Sequence, residues 1–231
     1  MSNTRWIKHA ALLVAVLAIA AVLWAASQGP NNPGTMANIA GAQTDWANPD
    51  NAKVSDDSYM SAALAKNGYS DYFSASNLGF TIPTGATIDG IACDTEVSST
   101  GAGTVKFDQV YTYKGNTLAG TSQRNATTWT STDTYLTHGG TTNKWGTTWT
   151  AAEINNSNFN LRGNAHEQNV NTATAQIDHI RVTVYYTPAP STGRKAFIIN
   201  IGSLLPAWSP EPCAWAGLPL SETREGEFGK L

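Results

Sequence analysis

The chain has 231 residues and a net charge of −3, with only 13% charged side chains and many Thr, Ser, Asn and Gly residues. That balance excludes a helical protein, which would draw on Glu, Lys, Leu and Ala, and it offers no basic patch to nucleic acid. It suits strands and turns with uncharged polar outer faces, and once a leader and a tail are set aside the length matches one sandwich domain.

Arg5, Lys8 and His9 precede an apolar run over residues 10–26. This pattern predicts a secretory signal peptide over residues 1–27, or an apolar leader helix of the same kind that anchors the chain in a membrane. The run is short for a spanning helix. Ala25 and Ser27 are small enough for the −3 and −1 positions of a signal peptidase site, which predicts cleavage before Gln28. Positive charge ahead of the run keeps that end inside, so both readings predict a secreted or extracellular body that meets membrane only through its N-terminal segment.

Residues 28–43 are rich in Gly, Pro and Asn and are predicted to be a linker. A β-sandwich domain is predicted over residues 44–187. It opens with Trp46, large enough to need a core, and with the turn chemistry of Asn48-Pro49 and Asp50-Asn51. Strands are predicted over residues 58–64, 72–82, 86–97 and 104–113, with two or three short ones inside 117–147. Thr150 and Glu153 stand at capping-box spacing, so one helical turn is expected there as a crossover between sheets. A strand is then predicted from residue 158, a polar loop over 163–172, and a strand over 173–187. Beyond it, residues 188–231 form a Pro-rich linker with an extra strand candidate at 195–201 (KAFIINI) and a tail whose prolines forbid long regular structure.

Two of these stretches share one design. Residues 86–91 (A-T-I-D-G-I) and 175–180 (A-Q-I-D-H-I) match at Ala, Ile, Asp and Ile, and in both the apolar alternation changes phase at the aspartate. A phase slip inside a strand is how a β-bulge reads in sequence. The two are therefore predicted to be equivalent bulged core strands of one all-β, antiparallel, jelly-roll-like sandwich.

Residues that could carry chemistry are few. His138, His166 and His179 are scattered, with no Ser or Cys elbow nearby, so no catalytic residue and no enzyme is expected. Asp89 and Asp178, at the bulges, are expected to accept local N–H bonds. Cys93 is expected either to be a small buried hydrophobe or to pair with Cys213. Asp45, Asp50, Asn51, Asp56 and Asp57 gather oxygen ligands in one loop, which suits calcium, although turn formation accounts for the same residues; no other cofactor is implied. Trp129, Trp145 and Trp149, set among Asn and Thr, are the parts of an aromatic platform for surface glycans, against the plainer expectation that they fill the core. Ala196, Phe197, Ile198 and Ile199 could complete a sheet edge of this chain or of a second copy in a homopolymer.

In order, W-x-N-P-x-N-A (Trp46 to Ala52), D-x-Y (Asp57 to Tyr59), L-G-F-x-I-P-x-G-A-T-I-x-G-I (Leu78 to Ile91), W-T-x-x-E-I-N (Trp149 to Asn155) and I-D-H-I-x-V-T-V-x-Y (Ile177 to Tyr186) resemble β-sandwich modules of phage structural and tail-associated proteins and of prokaryotic cell-surface proteins. The resemblance implies a packing or attachment module without catalysis. The export leader departs from the virion pattern and turns the expectation toward a structural or adhesive protein of a cell surface or extracellular appendage. A carbohydrate-binding module and a phage virion component are the alternatives.

Overall fold

A computed structural model describes residues 25–190. They form ten strands: β1 (Ala26–Asn31), β2 (Thr35–Ile39), β3 (Met60–Leu64), β4 (Tyr72–Ser76), β5 (Thr87–Gly101), β6 (Val105–Lys114), β7 (Thr117–Ala119), β8 (Thr134–Gly140), β9 (Phe159–Glu167) and β10 (Ala173–Thr187). A 3-10 turn at Pro49–Ala52 and a helical turn, α1 (Ala151–Ile154), are added. One antiparallel sheet runs β1-β10-β5-β8, with β3 also on β10; the other runs β2-β4-β9-β6-β7. The chain changes sheet at every connection except the β6–β7 hairpin. Apolar residues from both inner faces make one core, with Phe107 of β6 edge-on to His138 of β8 at 4.7 Å. The result is a β-sandwich. Most of residues 1–27, and Cys213 with the strand candidate at 195–201, lie outside the described residues.

β10 sits inside the first sheet and pairs with β5 along its length. The ladder shifts between Ile177 and His179, leaving Asp178 unpaired, and again between Tyr185 and Tyr186, where Asp89 is the extra residue on β5. Both predicted bulges therefore fall at the aspartates. The two look-alike strands are neighbours about a local dyad: Val97 opposes Ile177, and their sequence counterparts Tyr186 and Ile88 oppose each other. Only one bulge has room for a ring. A side chain at Gly90 would run into the backbone of Gly140 and Thr141, whereas His179 at the matching place reaches Tyr135 and Asn32.

The far edge of β10 is divided. β3 pairs with residues 173–177 and β1 with residues 182–186, so the edge changes partner at the Asp178 bulge. This corrects the linker predicted over 28–43. Its Gly and Pro content reads as coil, yet residues 26–31 supply a strand to one sheet and residues 35–39 a strand to the other. The strand predicted over 72–82 stops at Ser76 because Asn77 (φ 55°) and Gly79 (φ 66°) take left-handed backbone that ends a ladder. The loop predicted from 163 is instead strand as far as Glu167. The fully buried Glu167 carboxylate anchors that end by accepting N–H bonds from Thr104 (2.8 Å), Asn67 (3.1 Å) and Asn169 (3.0 Å). The crossover turn forms as expected: Thr150 Oγ accepts from the Glu153 N–H, and the Glu153 carboxylate accepts from the Thr150 N–H.

Candidate ligand-binding face

The structure disperses the residues that the sequence offered as sites. Trp129, Trp145 and Trp149 are buried at 4%, 0% and 7% exposure. The Trp145 indole donates to the Ile91 carbonyl at 2.9 Å, and Trp149 lies edge-on to Phe159 at 5.2 Å. These rings fill the core and make no exposed platform. The acidic loop resolves into separate turn contacts. Asp45 accepts from Asn38, Asp50 pairs with Lys53, Asn51 donates to the Tyr59 carbonyl, Asp56 accepts from the Ser58 N–H, and Asp57 holds φ 63°. Among the described residues no group of three or more His, Cys, Asp or Glu side chains could hold a metal ion. Residues 196–199 lie outside the described residues. Cys93 is a buried free thiol whose pKa burial raises.

At the bulges, Asp178 accepts the Asp56 N–H at 3.4 Å, and Asp89 accepts the Thr187 hydroxyl at 2.8 Å. The bulge histidine has both ring nitrogens engaged, with Tyr135 Oη (2.9 Å) and Asn32 Oδ1 (3.0 Å). Burial and the neighbouring Arg181 charge lower its pKa. His138 also uses both nitrogens. Nδ1 accepts the Asn125 N–H at 2.9 Å, so Nε2 carries the proton and donates to Thr95 Oγ at 3.1 Å.

The outer face of the second sheet is different. Tyr72, Ser74 and Ser76 of β4 alternate with buried Phe73 and Ala75. Asn160, Arg162 and Asn164 of β9 alternate with Leu161 and Gly163, and Tyr111 and Tyr113 of β6 flank the inward Thr112. Register sets these outward residues in rows. Ser74, Arg162 and Tyr111 form one row, and Ser76, Asn160 and Tyr113 the next. A bulge at Asp108 sets both Asp108 and Gln109 against Asn164, and the Asn164 side-chain Oδ1 accepts the Gln109 N–H at 3.0 Å. Burial raises the Tyr72 phenol pKa, and Tyr111, Asp108 and Tyr113 add to the shift.

Two cavities open on this face and share Ile39. One, of about 490 Å³, is lined by Tyr69, Asp71, Tyr72, Asp108 and Asn164 and is bordered by residues 40–43. Its shape is fixed by Asp71, whose carboxylate accepts the N–H of Gly41 (2.6 Å) and Gln43 (3.0 Å). Burial opposes the Asp71 charge, but those backbone donors prevail and hold its pKa below the usual carboxylate range. The other cavity, of about 320 Å³, is lined by Ser74, Ser76, Asn116, Asn158, Asn160 and Arg162. Arg162 lies over the Tyr113 ring at 4.2 Å and donates to Asn160 (3.0 Å) and Asn116 (2.9 Å). Half-buried phenol rings can stack on the C–H face of a flat polyol while the exposed amides of Asn116 and Asn158 hydrogen-bond its hydroxyls. The sequence carried a signal for this face, the i, i+2 tyrosines of β6, but nothing in it showed that the asparagines of β9 lie alongside them.

No family model and no curated protein matches the chain. A solved structure described as "CBM4 structure and function" aligns with 56% of this chain and 85% of its own length at 14% identity, with a TM-score of 0.33. A likeness of that size carries no argument about function.

Proposed function

We propose that the chain is an exported, non-catalytic adhesive β-sandwich that holds a polysaccharide on the outer face of its second sheet. The observation that carries this is the outer face of the second sheet: Tyr72, Tyr111 and Tyr113 beside Arg162, Asn164 and Asn116, with two adjoining cavities, one lined by Tyr72 and Asn164 and the other by Arg162 and Asn116. Rings that stack and amides that are already oriented meet the two needs of a sugar, which has an apolar face and a rim of hydroxyls. The engagement of both ring nitrogens of His138 and His179 in structural hydrogen bonds supports the absence of catalysis. The leader and the resemblance to surface modules support export and adhesion.

Calorimetry against a panel of soluble polysaccharides tests the reading. The purified chain is expected to bind at least one. Tyr113→Ala and Tyr111→Ala are each expected to weaken that binding about 10-fold, the scale of truncating one aromatic anchor at a binding contact. Both residues are outward-facing, so the variants should melt close to the parent. Unchanged affinity in both variants contradicts the assignment.

A further inference from the structure

Two arginines of this sandwich lie over tyrosine rings, one on each outer face, and they differ in one respect. On the first sheet Arg181 lies over Tyr135 at 4.3 Å, and its Nε donates to the Asp94 carboxylate at 3.1 Å. On the second sheet Arg162 lies over Tyr113 at 4.2 Å, but its Nε and Nη2 donate to the neutral amide oxygens of Asn160 and Asn116. Among the described residues Arg162 has no ion-pair partner, and no carboxylate lines its cavity. Asp71 and Asp108 line the other cavity, Asp71 engaged by the N–H groups of Gly41 and Gln43 and Asp108 standing 3.8 Å from Arg124. The guanidinium is thus fixed by stacking and by two neutral acceptors, its charge is not compensated, and Nη1 is committed to no partner. A planar cation held in this way is built to receive a carboxylate or sulfate.

We propose that the polysaccharide of this face is acidic, bearing carboxylate or sulfate groups, and that Arg162 takes the anion; this rests on the glycan reading of the same face. The stacking tyrosines and the anion contact lie in one row pair of the sheet, so a single acidic sugar residue can meet both. The chain itself is net negative at −3. General charge attraction therefore works against an acidic polymer, and recognition must come from the local site.

The test is calorimetry of the full chain with polygalacturonate, dextran sulfate, neutral hydroxyethyl cellulose and a single-stranded thymidine oligonucleotide. Polygalacturonate or dextran sulfate is expected to bind at least 10-fold more tightly than the neutral polymer or the oligonucleotide; whichever acidic polymer leads identifies the anion. Arg162→Gln is expected to remove that preference. Asn116→Asp, which leaves Arg162 in place but gives it an internal carboxylate, is expected to remove it as well, so the conclusion does not depend on one variant folding. A neutral polymer that binds as tightly as the acidic ones, or a preference that survives both variants, overturns the acidic assignment and leaves the glycan reading standing. Equal binding of the oligonucleotide overturns the assignment in favour of any polyanion. Binding of none of the four, followed by a silent wider panel, removes both.

Discussion

His138 and Glu167 show how single polar groups are used inside this sandwich. Burial lowers the His138 pKa from about 6.5 to about 4, a difference on the order of 3 kcal/mol between its two protonation states. The folded state binds this proton less readily than the unfolded chain. The stability it contributes is therefore full above about pH 6.5 and is lost as pH falls toward 4. Nitrogen-detected NMR is expected to show His138 as the Nε2–H tautomer, with no titration above about pH 5; a midpoint near 6.5 contradicts its placement. Glu167 has a pKa shifted in the same direction by a different cause. Burial disfavours its charge, but three backbone donors outweigh that and hold its pKa below the usual range. Its contribution is present at neutral pH and is lost as pH falls through the folded pKa. Glu167→Gln is expected to cost about 2–3 kcal/mol at pH 7, the scale of hydrogen bonds to a charged group, with the gap from the parent closing in acid. A gap that is constant with pH contradicts the anchoring role.

Legibility differed between strands for physical reasons. β5 and β10 were plain in the sequence because a buried strand writes its alternation in Ile and Val, and a bulge writes a phase slip. The capping box of α1 was equally plain, since its two bonds depend on side chains three residues apart. β1 and β2 were not legible. Their residues, ASQGPN and TMANI, have few large apolar side chains, and they are strands because an existing edge offers them a ladder. A cut before Gln28 would remove the pairs Ala26–Tyr186 and Ser27–Tyr185. A chain that begins at Gln28 is expected to lose about 1 kcal/mol and melt roughly 2–4 °C below one that keeps both residues, by the usual worth of edge pairs in a domain of this size. Equal melting temperatures contradict the β1 pairing. The candidate face was illegible for a related reason. Its parts come from β4, β6 and β9, far apart in sequence, and only sheet order sets Arg162 beside Ser74 and Tyr111. The tryptophans were conspicuous as residue types, but they are buried, and the face is built from less conspicuous tyrosines.

The two outer faces of the molecule divide between closure and availability. On the face of the first sheet Arg181 pairs with Asp94 and His179 sits between Tyr135 and Asn32, while the Glu96 and Asp133 carboxylates have no ion-pair partner among the described residues. The face of the second sheet presents rings, amides and one uncompensated guanidinium beside two cavities. Backbone amide shift mapping during titration with oligogalacturonate tests this division most directly. Shifts are expected to concentrate at residues 72–76, 109–116 and 158–164, with β5, β8 and β10 undisturbed. Shifts centred on Tyr135, Arg181 and His179 instead, or spread evenly over both faces, would contradict the account.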